Sequence, residues 1–206
     1  MIKNILFDLG GVIMTIDQPQ AVRRFKEIGL KDAETRLDPY TQKGIFGELE
    51  EGKIDAETFR LELSKMVGRE LAHEECLYAW RGYCKEVPLR NLKALRRLRS
   101  EGFRLILLSN TNPYMMEWAM SSSFDGMGNS IDSYFDMSFR SYECGMMKPS
   151  RAFFKHVIDT AGIAPDETLF LDDGKANVES AAELGIKPFL TTNGEDWTTE
   201  IYNYLR

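Results

Sequence analysis

The sequence predicts an α/β fold: a Rossmann-like parallel sheet wrapped by helices, with a helical unit inserted after the first strand. Short apolar runs alternate with helical patterns over most of the chain, and this alternation is typical of parallel strands joined by helices. Polar clusters follow the apolar runs, as expected at the carboxyl ends of parallel strands, where ligands bind. One long segment near the N-terminus has helical periodicity without a convincing strand, which indicates an insert.

The first strand is predicted over residues 5–7, and it ends at Asp8. Because a strand inside a parallel sheet is buried, a carboxylate is expected only where the strand stops. Gly10 and Gly11 follow at once, and glycine permits backbone conformations and close approaches that a side chain would prevent. Asp8 is therefore a candidate nucleophile, although a strand ending in an ordinary Asp turn explains the same run.

The insert is predicted over residues 17–86, where apolar side chains recur at helical spacing. One helix begins near Asp55, and its predicted apolar face carries Phe59, Leu63 and Met66. Segment 47–54 contains two glycines and several charges, which fit an ordinary turn or a loop that faces the functional site, and we favour the turn. The predicted domains are a core of residues 1–16 and 87–206 and a helical cap of residues 17–86.

The remaining strands are predicted over 103–108, 168–171 and 186–190, with a weaker one over 135–139. Helices are expected at about 89–100, 113–120, 150–161 and 176–184, the last ended by Gly185. Ser109 and Asn110 follow one of these strands, and Asp172 and Asp173 follow another. The sheet should therefore bring these polar side chains to the same edge as Asp8.

The amino-acid composition argues against several classes of function. The 206 residues are 43% hydrophobic and include 32 acidic and 26 basic residues, for a net charge of −6, which argues against a general nucleic-acid binder. The polar Lys3-Asn4 and the strand that follows do not resemble a secretory leader, and no apolar run has membrane-spanning length, so we expect neither secretion nor a membrane span. Three cysteines without CxxC spacing fit reduced thiols. We expect a cytoplasmic protein without nucleic-acid or membrane partners; the sequence does not indicate its oligomeric state.

An acidic residue, a hydroxyl, a lysine and an acidic pair together are typical of phosphoryl transfer. These residues lie in four motifs: DLGGV at 8–12, LSNT at 108–111, KP at 148–149 and LDD at 171–173. The order and spacing of the four motifs resemble the haloacid dehalogenase superfamily over nearly the whole chain. Within that family the chain is most similar to sugar-phosphate phosphatases typified by alpha-D-glucose-1-phosphate phosphatase.

The resemblance implies a role for each motif. Asp8 would attack the phosphoryl group and form an aspartyl-phosphate. Ser109 would donate a hydrogen bond to the phosphoryl oxygens, with Asn110 as a further substrate-binding residue. Lys148 would bring positive charge to the phosphate and to Asp8. The implied substrate is a small phosphorylated metabolite, first of all a sugar phosphate, selected by the cap.

The resemblance also implies a bound Mg²⁺ ion. Its direct ligands would be the carboxylates of Asp8 and Asp173 and the backbone carbonyl of Gly10, since hard oxygen donors suit this ion. Asp172 and Asn177 would orient those ligands without binding the ion directly.

Gly10 departs from the pattern of most phosphatases in this family, which carry a second Asp at this position as general acid and base. Three interpretations remain open. A phosphatase could use another proton carrier or a good leaving group, as the sugar phosphatases that share the glycine indicate. A metal-independent 2-haloacid dehalogenase needs no such acid, and a weakly active or inactive phosphate-binding regulatory protein needs none either. The Asp172–Asp173 pair favours a metal, and so the phosphatase.

Overall fold

The computed structural model describes residues 1–38 and 42–205, and a five-stranded parallel sheet lies at its centre. The sheet order is β5-β4-β1-β6-β7, and β2 and β3 form a separate two-stranded sheet. The strands are β1 (Asn4–Phe7), β2 (Thr15–Ile16), β3 (Cys84–Glu86), β4 (Arg104–Ser109), β5 (Met137–Arg140), β6 (Thr168–Asp172) and β7 (Lys187–Leu190).

Helices surround this sheet and fill the segment between β2 and β3. Short 3-10 helices supplement them, including one over Arg81–Tyr83. The α-helices are α1 (Gln18–Glu27), α2 (Ala33–Arg36), α3 (Ile45–Glu50), α4 (Ala56–Val67), α5 (His73–Trp80), α6 (Leu89–Ser100), α7 (Pro113–Ala119), α8 (Ser141–Cys144), α9 (Arg151–Ala161) and α10 (Lys175–Ala182).

The central strand β1 marks the point where the chain changes direction across the sheet. Phe7 pairs with Leu107 on one side and with Leu171 on the other. The chain builds β4 and β5 on the first side and then crosses to β6 and β7 on the second. Ligands bind at such a reversal, beyond the carboxyl ends of the strands. Asp8 is the first residue after β1, and its backbone N–H donates to the Leu171 carbonyl at 3.0 Å.

Both faces of the sheet are buried, which explains why the strands read as continuous apolar runs. Leu6 belongs to the hydrophobic cluster on one face, together with residues of α9 and α10, whereas Ile5 and Phe7 belong to the cluster on the other. The predicted strands and helices of the core are confirmed to within about two residues. The weaker strand is shifted from 135–139 to Met137–Arg140.

The inserted helices share an aromatic core. The ring centroid of Phe46 lies 5.2 Å from that of Phe59 and 5.4 Å from that of Phe25. Aromatic rings attract one another at these distances. Tyr114 of α7 joins this core to the rest of the molecule, because its hydroxyl donates to the Ala56 carbonyl at 2.7 Å. Of the predicted apolar face of α4, Phe59 and Leu63 are buried, but Met66 is 38% exposed.

The expectation that residues 17–86 contain no strand is wrong at its C-terminal end. Strand β3 pairs antiparallel with β2, with Ile16 opposite Cys84. The strand has only three residues, two of them charged and exposed, so its sequence lacks the alternation that identifies a strand. Asn193 supports the ribbon: its side-chain oxygen accepts from the Ile16 N–H at 2.8 Å, and its amide donates to the Ile16 carbonyl at 3.0 Å.

None of the helices in the described ranges is long and apolar enough to cross a bilayer. The thiols of Cys76, Cys84 and Cys144 are unpaired.

Candidate active site

A cavity of about 550 Å³ opens over the carboxyl end of β1, a size typical of small-ligand sites. Most of the residues that the sequence singled out line it: Asp8, Gly10, Ser109, Asn110, Lys148, Asp173 and Asn177. Asp172 is completely buried beside them, at the end of β6. The strand ends therefore bring together side chains that lie up to 169 residues apart in the sequence.

Lys148 is the cation at the floor of this cavity. Its Nζ lies 2.9 Å from Asp8 Oδ1 and 2.6 Å from Asp172 Oδ2, and its side chain is almost completely buried. Burial alone would lower the pKa of Lys148, but attraction to Asp172 and Asp8 outweighs it and raises the pKa overall. Lys148 is therefore a fixed positive charge beside the candidate nucleophile.

Asp8 has one oxygen engaged and one available. Oδ1 accepts the N–H of Leu9 at 2.7 Å and faces Lys148, whereas no donor within the described residues is recorded for Oδ2. Burial raises the pKa of Asp8 to about 7; Lys148 opposes this shift, and the nearby carboxylates of Asp172 and Asp173 add to it. Additional positive charge would favour the ionised form that a nucleophile requires.

Both oxygens of Asp172 are taken by protein donors. Oδ2 pairs with Lys148, and Oδ1 accepts the Gly174 N–H at 2.7 Å and the Asn177 amide at 2.8 Å. This geometry leaves Asp172 to hold Lys148 and the start of α10 in place.

Asp173 is the acidic side chain of the pair that faces open space beside Asp8. Carboxylate oxygens of Asp8, Asp172 and Asp173 lie within 4.8 Å of one another. Burial raises the pKa of Asp173 to about 6, and the charge of Asp172 adds to the shift. Three carboxylates this close repel one another unless a cation offsets their charge. Their oxygen donors suit Mg²⁺, with Asp8 and Asp173 free to bind it directly.

Gly11 makes room for Asp173. It has φ +76°, and a Cβ atom built on it would lie 2.1 Å from Asp173 Oδ2. Any other residue at this position would displace that carboxylate or the turn that carries it. The second glycine of the DLGGV motif is thus required by close packing as well as by its backbone conformation.

Asn110 and Ser109 differ in how they face the cavity. The Asn110 amide donates to the Lys148 carbonyl at 2.9 Å, and its oxygen accepts the Lys148 N–H at 2.8 Å. Its side chain therefore fixes the backbone that carries Lys148, and its contact with substrate stays a prediction. The Ser109 hydroxyl is buried and makes a single long hydrogen bond, 3.3 Å, to the Asn110 carbonyl.

The space beside Gly10 borders on Ile16. A Cβ atom at Gly10 would lie 2.9 Å from the Cδ1 atom of Ile16, the end of a flexible side chain. A carboxyl group at this position would therefore require that side chain to shift.

The most important site residue that the sequence analysis missed is Glu50, the last residue of α3. It is 8% exposed and lines the same cavity as Asp8. Burial raises the pKa of Glu50 to about 8; a hydrogen bond with the Asn112 side chain opposes the shift, and the charge of Asp8 adds to it. A carboxyl group thus enters the site from the inserted helices.

Segment 47–54, interpreted as a turn, in fact begins with most of α3 and turns only after it. The signal that identifies Glu50 is its spacing: Phe46, Leu49 and Glu50 are the buried residues of this helix, at positions i, i+3 and i+4 of one face. A carboxyl group on the buried, apolar face of a helix is uncommon unless it has a specific partner, and it therefore indicates a candidate functional residue.

The upper wall of the cavity combines polar and apolar groups. The Tyr83 hydroxyl accepts from the Gln42 amide at 3.1 Å and donates to the Asp38 carbonyl at 3.2 Å. Apolar contacts come from Met14, Ile16, Trp80 and Met115. The cavity can therefore hold a compact molecule with both hydroxyl groups and a carbon skeleton.

Comparisons with known proteins agree with this geometry. Residues 2–185 match the model of the haloacid dehalogenase-like hydrolases. The chain is 47% identical over 201 residues to D-ribitol-5-phosphate phosphatase of Bacteroides thetaiotaomicron, covering 98% of this chain and 97% of the relative.

Two solved structures resemble the whole chain. A HAD-like family hydrolase from Porphyromonas gingivalis has a TM-score of 0.94 and 43% identity, covering 100% of this chain and 98% of that one. A HAD family enzyme from Bacteroides thetaiotaomicron, a single-residue variant in complex with magnesium and inorganic phosphate, has a TM-score of 0.92 and 35% identity, covering 98% and 99%.

Proposed function

This chain belongs to the haloacid dehalogenase-like hydrolase family, and we propose that it is a magnesium-dependent phosphatase acting on a small sugar or polyol phosphate. One observation carries the proposal most directly: Asp8 lies beside Lys148 and two further carboxylates at the base of a cavity. The 47% identity to a polyol-phosphate phosphatase over nearly the whole chain supports the reaction class.

In the proposed reaction, a carboxylate oxygen of Asp8 attacks the phosphorus atom and the ester bond to the leaving alcohol breaks. An aspartyl-phosphate results, which water then hydrolyses to inorganic phosphate and free Asp8. Lys148 and the Ser109 hydroxyl bind the phosphoryl oxygens, where they stabilise the charge of the transition state. Asn110 and Asp172 hold Lys148 in position from two sides.

The residues fit a magnesium ion, with Asp8, Asp173 and the Gly10 carbonyl as its protein ligands. The bound ion would neutralise charge on the phosphoryl oxygens and keep Asp8 ionised. Asn177 acts through Asp172, whose carboxylate it fixes. The magnesium complex of the related enzyme from Bacteroides thetaiotaomicron supports this choice of ion.

The helices of residues 17–86 form, in this proposal, a cap that supplies the substrate-selecting wall. Gln42, Glu50 and Tyr83 offer polar groups for substrate hydroxyls, and Trp80 adds an apolar surface. Closure of this cap would exclude water from the phosphoryl site. A cytoplasmic location and the absence of nucleic-acid partners stay predictions.

The other two interpretations of Gly10 are not favoured. A dehalogenase that binds an anionic acid gains nothing from the carboxylates of Asp172 and Asp173, because like charges repel. An inactive binding protein is not favoured either, because the relative that is 47% identical over nearly its whole length is a phosphatase.

A magnesium-dependent phosphate-release assay on sugar and polyol phosphates tests the proposed function. We expect release with Mg²⁺, a fall of at least about 100-fold after chelation, and recovery when Mg²⁺ is restored, since a metal supplies several kcal/mol to such reactions. Absence of phosphate release from every ester, or metal-independent chloride release from a 2-haloacid, would overturn it.

Replacing Gly11 with Ala should disrupt the metal site specifically. The new Cβ atom would overlap Asp173 Oδ2, so we expect Mg²⁺ affinity to fall at least about tenfold, as when groups that position metal ligands are altered. Isothermal titration with Mg²⁺ measures this change. Gly102→Ala is the matched control, because Gly102 also has positive φ (+93°) but no atom within 4 Å of its Cβ position. Equal Mg²⁺ affinity in the two variants would contradict the account.

A further inference from the structure

We propose that Glu50 is the proton donor and acceptor of the reaction, replacing the carboxyl group that Gly10 lacks. This role rests on the proposed phosphatase function. The carboxyl group comes from α3, in the inserted helices, and lines the same cavity as the nucleophile Asp8.

Gly10 has no side chain, so no carboxyl group stands at the usual position of the acid and base. The end of the Ile16 side chain, its Cδ1 atom, lies 2.9 Å from the Cβ position of Gly10. A group that protonates the leaving oxygen must therefore reach the cavity from another element. The loss of such a group typically costs about 10² to 10⁴ in rate, so a substitute should exist if the enzyme hydrolyses unactivated esters.

Within residues 1–38 and 42–205, the titratable side chains that line the cavity are Asp8, Glu50, Tyr83, Lys148, Asp173 and Lys175, and most of them have other roles. Asp8 and Asp173 face the proposed metal, and Lys148 is held between two carboxylates. Lys175 has a 76% exposed side chain at the cavity mouth. Two groups remain, Glu50 and Tyr83.

Tyr83 is poorly suited to carry protons. Burial raises the pKa of its phenol well above its usual value, and its hydroxyl is already engaged by Gln42 and the Asp38 backbone. The Glu50 carboxyl group is the more acidic of the two candidates and is therefore better suited to donate a proton than the Tyr83 phenol.

Glu50 also enters the cavity from a different part of the fold than the residues at the strand ends. Asp8, Ser109 and Lys148 reach the cavity from the strand ends and the loops of the sheet, whereas Glu50 reaches it from the inserted helices. In phosphoryl transfer the leaving oxygen departs in line with the attacking one. With Asp8 attacking from the strand end, the leaving oxygen points away from the sheet, towards the side from which Glu50 enters.

The protonation state of Glu50 agrees with this role. Burial raises its pKa to about 8, the Asn112 amide opposes the shift, and the negative charge of Asp8 adds to it. Tyr83 is the other titratable group that interacts with Glu50, and it stays neutral. Glu50 is therefore largely protonated at neutral pH and can donate, and a pKa near the working pH is the most effective for proton transfer.

The proposed steps balance as follows. Asp8 forms a bond to phosphorus, the bond to the leaving oxygen breaks with its electron pair on that oxygen, and the oxygen takes the Glu50 proton. Water then attacks the aspartyl-phosphate and gives a proton to the Glu50 carboxylate. The bond between phosphorus and Asp8 breaks, its electron pair returns to Asp8, and inorganic phosphate leaves.

The test compares Glu50→Gln with the wild-type enzyme on two esters in the presence of Mg²⁺. D-ribitol 5-phosphate has a strongly basic leaving alkoxide that needs a proton, whereas an aryl phosphate has a weakly basic one that does not. We expect kcat/KM of Glu50→Gln to fall about 10² to 10⁴-fold on the alkyl ester and less than about tenfold on the aryl ester. In the wild type, kcat/KM for the alkyl ester should fall as pH rises through about 8, and this limb should disappear in the variant.

Glu48→Gln is the matched control, because Glu48 is an exposed carboxyl on the same helix; it should leave both esters unaffected. An equal loss on both esters, or a rise in KM with an unchanged pH profile, would overturn the role of Glu50 in favour of structure or substrate binding. If the wild type hydrolyses both esters and Glu50→Gln is unchanged, only this role fails. If the wild type hydrolyses neither, the proposed function fails, and this role with it.

Discussion

Replacing Asp8 with Asn should lower kcat by on the order of 10⁴ to 10⁶-fold, the usual consequence of removing a nucleophile. The amide oxygen and nitrogen are much weaker nucleophiles than a carboxylate, and no neighbouring group takes over. Lys148 is a cation, Asp172 has both oxygens bound, and Asp173 is a ligand of the proposed Mg²⁺ ion. Phosphate release from D-ribitol 5-phosphate with Mg²⁺ measures the effect.

The same variant should fold at least as stably as the wild type, which separates loss of chemistry from loss of structure. The pKa of Asp8 is raised in the folded protein, mainly by burial. Between pH 3.8 and the folded value, ionised Asp8 therefore costs stability as pH rises. A neutral Asn of the same shape removes this cost, and Lys148 keeps Asp172 as its ion-pair partner at 2.6 Å. We expect its melting temperature at about pH 8 to equal or exceed that of the wild type, and a large decrease would contradict the burial argument.

Asp159→Asn is the matched control for activity, since Asp159 is an exposed carboxylate on α9. It should hydrolyse the ester at the wild-type rate. Substantial activity in Asp8→Asn would show that the nucleophile lies elsewhere.

Replacing Lys148 with Met should affect both stability and catalysis. Removing one partner of a buried ion pair typically costs about 3 to 5 kcal/mol, and Lys148 pairs with both Asp8 and Asp172. Loss of a group that stabilises transition-state charge costs about 10² to 10³ in kcat. Denaturant unfolding and phosphate release measure the two effects, and Lys155→Met, at an exposed position of α9, should show neither.

The stability loss of Lys148→Met should depend on pH. Lys148 lowers the pKa values of Asp8 and Asp173, so its removal raises both further above their unfolded values. The folded variant then binds more protons than the unfolded chain, and its stability falls as pH rises through this range. We expect a larger deficit at about pH 8 than at about pH 5. A deficit independent of pH would show that lost packing, not uncompensated charge, is the cause.

The sheet and its polar floor could be predicted because their signals are local in sequence. An apolar run followed by Asp8, or by Asp172 and Asp173, already implies a buried strand and a polar strand end. Parallel pairing then places the carboxyl ends of these strands at one edge of the sheet, independently of how the helices pack. The order and spacing of four such motifs were sufficient to identify the family.

The part of the cavity formed by the inserted helices could not be predicted in the same way. Glu50 lies in an acidic run, Glu48-Leu49-Glu50-Glu51, and its spacing from Phe46 and Leu49 becomes a signal only once the helix over Ile45–Glu50 is known. Strand β3 likewise exists through pairing with β2, seventy residues away. The sequence shows that Gly10 lacks the usual carboxyl group, but not that Glu50 lines the same cavity.

The most direct test of the central claim is to trap a phosphoryl group on Asp8. Enzyme turning over D-ribitol 5-phosphate with Mg²⁺ is quenched in acid and treated with hydroxylamine, which converts an acyl phosphate to a hydroxamate, and the modified peptide is located by mass spectrometry. We expect the modification on Asp8 in the wild type and none in Asp8→Asn. Modification of another residue, or an unmodified Asp8 in the wild type, would contradict the claim.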